Sequence, residues 1–237
     1  MFVHHIEFEV VAEKERQWEP YMRNFHAVEA RMPGGVLFRV LRRLDEPHRF
    51  ISLRTWLSKE DSKAAFRTSD LDLAARPAQQ DGFYRGKQAT WTQCELLDFV
   101  WGPEGPSGYA APELFARYAV RDVPPEKLAP YRAYSRNFLS VMARQKGFVS
   151  GEVLRPAGPA HRFISVLMFR ARDRWPIDSS AEPSAEVRMA FEAGRATRAY
   201  EGSSPLVALN TAVFDAAWGR EGAAAYQRFI DGLEPAS

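Results

Sequence analysis

The chain repeats itself. Tyr21-Met22-Arg23-Asn24-Phe25 returns as Tyr134-Ser135-Arg136-Asn137-Phe138, and His48-Arg49-Phe50-Ile51-Ser52 returns as His161-Arg162-Phe163-Ile164-Ser165, each 113 positions later. About half of the positions from Tyr21 to Ser52 are identical at that offset, including Val28, Ala30, Arg31, Gly34, Val36, Val40, Leu41 and Arg42. Self-similarity at a fixed spacing marks one structural unit used twice, so the fold must be built from two like halves. A third match, Asp98-Phe99-Val100-Trp101-Gly102 with Asp215-Ala216-Ala217-Trp218-Gly219, has an offset of 117. The second half therefore carries about four extra residues, expected in the Pro- and Ser-rich stretch from Trp175 to Ser184. Pro103 to Gly108 reads as a linker. These signals divide the chain into repeat one (1–104), repeat two (112–219) and a C-terminal tail (220–237), helical from Arg220 to Leu233.

Each repeat spells strand, helix, strand, strand, helix, strand. Phe2, Ile6, Phe8 and Val10 alternate with His5, Glu7 and Glu9, the period of a strand. Trp18, Tyr21, Met22, Phe25, Val28 and Met32 recur at helical spacing and predict a helix from Lys14 to Met32, stopped by Pro33-Gly34-Gly35. Val36–Arg42 and Arg49–Leu57 flank the turn Asp45-Glu46-Pro47 as a hairpin. Ser58 opens a helix to about Ala75, and a last strand covers 90–100. The order βαββαβ is the ferredoxin-like pattern. Such a sheet carries helices on one face only, and neither side of Phe50–Trp56 looks solvated. The expected fold is α+β: tandem ferredoxin-like repeats whose antiparallel sheets cover each other as one α/β barrel, an intramolecular pseudo-dimer.

Composition narrows the function classes. With 46% apolar and 13% aromatic residues the chain can bury a sizeable core. A net charge of +2 gives no electrostatic footprint for nucleic acid or an anionic membrane. The single cysteine, Cys94, excludes an intrachain disulfide and a cysteine-built metal site. No run approaches the roughly 20 apolar residues of a membrane helix, and the N-terminus lacks the pattern of a secretory signal. A cytoplasmic protein is expected. Glycine-rich nucleotide motifs and Gly-x-Ser-x-Gly are absent, and adjacent His4 and His5 point to opposite strand faces, so they cannot share a metal.

A repeat of this length, with Gly34-Gly35-Val36 opening its second strand and Phe50-Ile51-Ser52-Leu53-Arg54-Thr55-Trp56 as its third, resembles the antibiotic biosynthesis monooxygenase family of the dimeric α/β-barrel superfamily. The resemblance implies an oxygenase that works without a cofactor on an aromatic, polyketide-like or quinol small molecule. The family's haem-degrading branch uses an Asn on strand one, a Trp on strand three and a His on the second helix, of which this sequence keeps Trp56. A non-catalytic ligand-binding or stress-related barrel and a haem-binding relative stay open as alternatives, as do a monomeric pseudo-dimer and a homodimer.

The two repeats differ in chemistry. His4, His5, His26 and His48 of repeat one correspond to Arg117, Tyr118, Leu139 and His161, while Arg54 becomes Leu167 and Trp56 becomes Phe169. Repeat one is therefore the candidate site. Oxygenation without a cofactor needs a base, a group that stabilises an anion, and aromatic walls that exclude water. His26 can serve as base or donor, although its wheel position places it at the flank of the apolar face, toward solvent. Arg54 could hold a phenolate or, equally, close a structural salt bridge, because an unpaired buried charge is costly. Trp56 and Trp91 could wall a ring, with Tyr84 and His5 as further substrate contacts; on a buried strand Trp56 reads first as a core residue, and Tyr84 also reads as a cap of the barrel. Tyr200 is the rough equivalent of Tyr84. His48 and His161 sit at matching turns, which favours a turn-holding role.

Overall fold

A computed structural model describes residues 1–86, 89–111, 113–158, 161–170, 184–196 and 204–233. The strands are β1 (Phe2–Glu9), β2 (Gly35–Arg43), β3 (Arg49–Trp56), β4 (Thr90–Trp101), β5 (Phe115–Asp122), β6 (Phe148–Pro156), β7 (Arg162–Phe169) and β8 (Ser204–Trp218). The helices are α1 (Glu15–Glu29), α2 (Lys59–Ala65), α3 (Ser69–Gln80), α4 (Leu128–Met142), α5 (Ala185–Ala196) and α6 (Gly222–Asp231). Two compact units emerge: unit 1 is Met1–Glu95 with Ala212–Phe229, and unit 2 is Leu96–Thr211 with Ile230–Ser237. The units thus cut across the repeat boundaries, with the divisions falling within β4 and within β8. The hydrogen-bonded strand order is β1-β3-β2-β8-β5-β7-β6-β4, and it closes as a barrel. The α+β barrel of tandem ferredoxin-like repeats is the fold of this chain.

In unit 1, β3 lies antiparallel between β1 and β2, with Arg54 opposite His4 on one side and Phe38 on the other. Only Arg49 of β3 is exposed, so both faces of this strand are covered. One face packs under α1 and α3 through Ile6, Trp18, Met22, Phe38, Phe50 and Trp56. Unit 2 repeats the arrangement with α4 over β5–β7, around Tyr131, Phe138, Leu139, Met142, Phe163 and Leu167.

The repeat is visible in backbone detail. Gly34 and Gly147 both adopt φ near +80° (77° and 82°), a conformation in which a side chain is strained. Each carbonyl accepts from the strand across, Leu57 N to Gly34 O and Arg170 N to Gly147 O. Gly102 and Gly219 are a second matched pair, donating to Val149 O and Val36 O. A Cβ on Gly102 would collide with the Phe148 carbonyl, and one on Gly219 with the Gly35 backbone. The histidine turns match too: His48 and His161 each present their carbonyl to a valine amide, Val10 and Val123. His48 additionally places Nδ1 2.8 Å from Glu15.

Two elements differ from expectation. The single helix from Ser58 to Ala75 is two helices, because Thr68 ends one and caps the next: its hydroxyl donates to Ala65 O at 2.7 Å and accepts from Leu71 N. The first helix is shorter than predicted, since Ala12–Lys14 form a separate 3-10 turn and the chain leaves the helix after Glu29 to reach Gly34. The tail forms α6, whose Tyr226 is fully buried and donates to Thr55 Oγ1. Of the enlarged loop from Trp175 to Ser184, only Ser184 is among the described residues; it accepts from Val187 N at the start of α5. Tyr200 also lies outside the described residues. Among the described residues no helix is long and apolar enough to cross a membrane.

Candidate functional site

Strand pairing sorts unit 1's polar residues by face. Phe2, His4, Ile6 and Phe8 stand opposite Trp56, Arg54, Ser52 and Phe50, so these eight side chains share the helix-covered face. Arg54 is only 6% exposed there. Its Nε donates to Ser52 Oγ at 3.3 Å, and its Nη1 lies 3.3 Å from Glu29 Oε1. The guanidinium is flanked by aromatic faces, 4.8 Å from the Phe25 centroid and 5.4 Å from that of Trp91.

Glu29 comes from the last turn of α1 and is fully buried, yet neither carboxyl oxygen has a hydrogen-bond partner. Burial pushes its pKa up, against the pull of Arg54 and His26. Beside Arg54, His4 sets Nε2 2.7 Å from Ser62 Oγ of α2, while its Nδ1 is buried without a partner. Burial first, then the charges of Arg54 and Lys59, lower the His4 pKa to about 4, so the ring is neutral at pH 7. Its ring meets Phe66 at 5.8 Å and Trp91 at 5.5 Å. Phe66 and Trp91 are 38% and 51% exposed, which makes them the solvent edge of this cluster.

His26 is not at a solvent edge. It is fully buried, because β8 closes the flank that the helical wheel leaves open. Its Nδ1 stands 2.9 Å from Asp215 Oδ2, and its Nε2 is buried with no partner. Trp56 is also fully buried, edge-on to Phe38 at 5.1 Å, with its Nε1 unpartnered. Tyr84 packs against Phe8 at 5.3 Å and lies within the electrostatic reach of Arg54 and Glu29; burial raises its pKa. His5 does not join the others. It pairs with Leu53 and so projects from the opposite face of the sheet, where burial lowers its pKa to about 4.

The structure thus brings Arg54, Trp56 and Trp91 onto one face, adds His26 from the helix above and Tyr84 at its margin, and separates His5. Sequence reasoning did not mark Glu29 or Phe66 as site residues, and it showed His4 only as one of the repeat-one histidines and Asp215 only as part of a repeat match. The signal for Glu29 was present: it is a carboxylate on an apolar helix stripe whose counterpart is Met142. In unit 2 the counterparts of His26, Glu29, Arg54 and Trp56 are Leu139, Met142, Leu167 and Phe169, all members of one apolar core. Buried polar atoms without hydrogen-bond partners are uncommon in native structures. Here Glu29, His26, His4 and Trp56 supply five of them in one unit. Among the described residues no group of three or more His, Cys, Asp or Glu could hold a metal ion.

Residues 1–77 match the family model for antibiotic biosynthesis monooxygenase. Among curated proteins no sequence match is found. A crystal structure of a candidate monooxygenase from Fusobacterium nucleatum superposes with a TM-score of 0.72 at 10% identity, covering 92% of this chain and 94% of that one. An anthrone oxidase-like protein superposes with a TM-score of 0.60 at 15% identity, covering 93% and 94%. A candidate chlorite dismutase does so at 0.53 and 11% identity, covering 90% and 94%. At these identities the likeness is one of fold.

Proposed function

Taking as premise that residues 1–77 form an antibiotic biosynthesis monooxygenase domain, we propose that unit 1 oxygenates a phenolic or quinol-like aromatic molecule without a cofactor. One observation carries the reading. Of two units built on the same repeat, one replaces an apolar helix–sheet core by a buried cation, a buried carboxyl and unpartnered ring nitrogens behind an exposed aromatic edge. Structural packing alone needs none of these groups, since unit 2 folds with Leu139, Met142 and Leu167 in their place.

Each group has a task in that chemistry. The substrate's hydroxyl proton passes to a base, and His26 Nε2 offers an uncommitted lone pair. The resulting anion is held by Arg54, whose charge acts strongly in a site shielded from water. Glu29 balances Arg54 when the site is empty. Phe25, Trp56, Phe66 and Trp91 supply apolar walls, and neutral His4 adds a donor or acceptor without a second positive charge. Electrons then leave the anion for dioxygen, and a CH2 group becomes C=O with release of water, one oxygen atom going to each product.

Oxygen uptake by the chelator-treated protein tests this, with 1,8-dihydroxy-9-anthrone, quinols and polyphenols as probes. Uptake without added cofactor that falls on the order of 10²-fold in Arg54→Ala, and also falls in Trp56→Ala, supports the reading. Uptake no faster than autoxidation across the panel overturns it, in favour of a barrel that binds an aromatic ligand without turning it over.

A further inference from the structure

The base proposed for unit 1 is oriented by a residue from the other end of the chain. Asp215 lies on β8, 189 positions from His26, yet its Oδ2 stands 2.9 Å from His26 Nδ1. Its Oδ1 faces Arg23 at 3.4 Å, and Arg23 in turn lies over the Phe214 ring. The repeat supplies an internal control for what this carboxylate does. The counterpart of Asp215 is Asp98, and that of Arg23 is Arg136. Arg136 Nε donates to Asp98 Oδ1 at 2.7 Å in unit 2. The Arg–Asp pair is therefore architecture common to both units. What differs is the residue three positions on from the arginine: Leu139 in unit 2, His26 in unit 1. Only in unit 1 does the carboxylate turn its second oxygen to an imidazole.

We infer that Asp215 is a positioning residue for the reaction proposed above, on which this inference rests. As an acceptor it holds the imidazole proton on Nδ1 and leaves the buried Nε2 as a bare lone pair, the state a general base needs. In the step it serves, the substrate O–H bond breaks, the N–H bond forms at Nε2, and the electron pair remains on the substrate oxygen. The imidazolium so formed is stabilised by Asp215. The charged groups around His26 are then Asp215 from β8, Glu29 and Arg23 from α1, and Arg54 from β3 behind Glu29. The site of repeat one is completed by the last strand of repeat two.

The test is the protonation state of one ring, read by nitrogen-15 NMR of histidine side chains in the full chain at pH 8, with His26→Gln for assignment. Wild type is expected to show a neutral His26 with its proton on Nδ1. Asp215→Asn keeps size and shape. Arg23 can only donate, so it draws the amide oxygen and turns the NH2 toward Nδ1; the proton is expected to move to Nε2. Asp98→Asn, the matched change in unit 2, leaves the His26 signals unchanged. With 1,8-dihydroxy-9-anthrone as probe, Asp215→Asn is expected to lower kcat on the order of 10²-fold with little change in KM, and Asp98→Asn to stay within about twofold. A wild-type ring protonated on Nε2 or on both nitrogens, or an Asp215→Asn ring like wild type, overturns the assignment of Asp215. Failure of wild type to consume oxygen would instead count against the oxygenase reading, and the ring spectra decide Asp215 independently of it.

Discussion

Arg54 and Glu29 show how a single pair of residues separates function from stability. Removing one member strands the other in a dry environment, which typically costs about 3–5 kcal/mol, whereas replacing both by apolar groups is often neutral or better. Arg54→Leu alone is therefore expected to lower the urea unfolding free energy by a few kcal/mol, while Arg54→Leu with Glu29→Met, which copies Leu167 and Met142 of unit 2, restores it and leaves no oxygenase activity. A double variant as unstable as the single one would show that the pair is structural. His5 carries a separate prediction. Its pKa falls from 6.5 unfolded to about 4 folded through burial. A depressed value stabilises the fold fully above the unfolded pKa, and that contribution is lost as pH falls from 6.5 through 4. At about 1.4 kcal/mol per pKa unit, roughly 3 kcal/mol is at stake, so His5→Asn should flatten the fall in unfolding free energy between pH 7 and pH 4. His4 adds a smaller loss over the same range, reduced by its partial contact with solvent.

Among the elements, the turns that open β2 and β6 are the most sharply specified. Gly34 sits at φ 77°, and a Cβ there would meet the side chain of Asp61, which Ser58 holds at the start of α2. Gly34→Ala is expected to cost more than the roughly 1 kcal/mol of an ordinary backbone mismatch, and Gly147→Ala, at the matching left-handed φ of 82°, at least that roughly 1 kcal/mol. Thermal unfolding of the two variants compares them directly. Thr68→Ala should cost about 1 kcal/mol by uncapping α3. These elements were readable to different degrees. β1 and α1 announced themselves by period, and Gly34 by its place before a strand. The break at Thr68 was not visible, because no Gly or Pro marks it between Ser58 and Arg76. A capping hydroxyl is a weak signal on its own.

For the whole molecule, the repeat made the barrel of tandem repeats legible in the sequence, and its asymmetry pointed to repeat one as the candidate site. Arg54 and Trp56 stood out because a strand shows its partners by alternation. Glu29, Asp215 and the burial of His26 did not, since they depend on which distant strand lies beside α1. β8 is that strand, and unit 1 incorporates Ala212–Phe229. Deleting residues 204–237 would strip the neighbour from β2 and expose its edge, a ready template for pairing with other chains. The truncated chain is expected to sediment as dimers or larger species; a monomer of wild-type stability would contradict the place of β8 beside β2.

The measurement that bears most directly on the oxygenase reading is isotope incorporation from labelled dioxygen. Wild type and Leu167→Ala, a change confined to unit 2, would be given 1,8-dihydroxy-9-anthrone under ¹⁸O2, beside Arg54→Leu/Glu29→Met. The account predicts one labelled oxygen in the quinone product from the first two proteins and only the autoxidation background from the third. Equal product from all three, or product formed by the double variant and lost in Leu167→Ala, would contradict it.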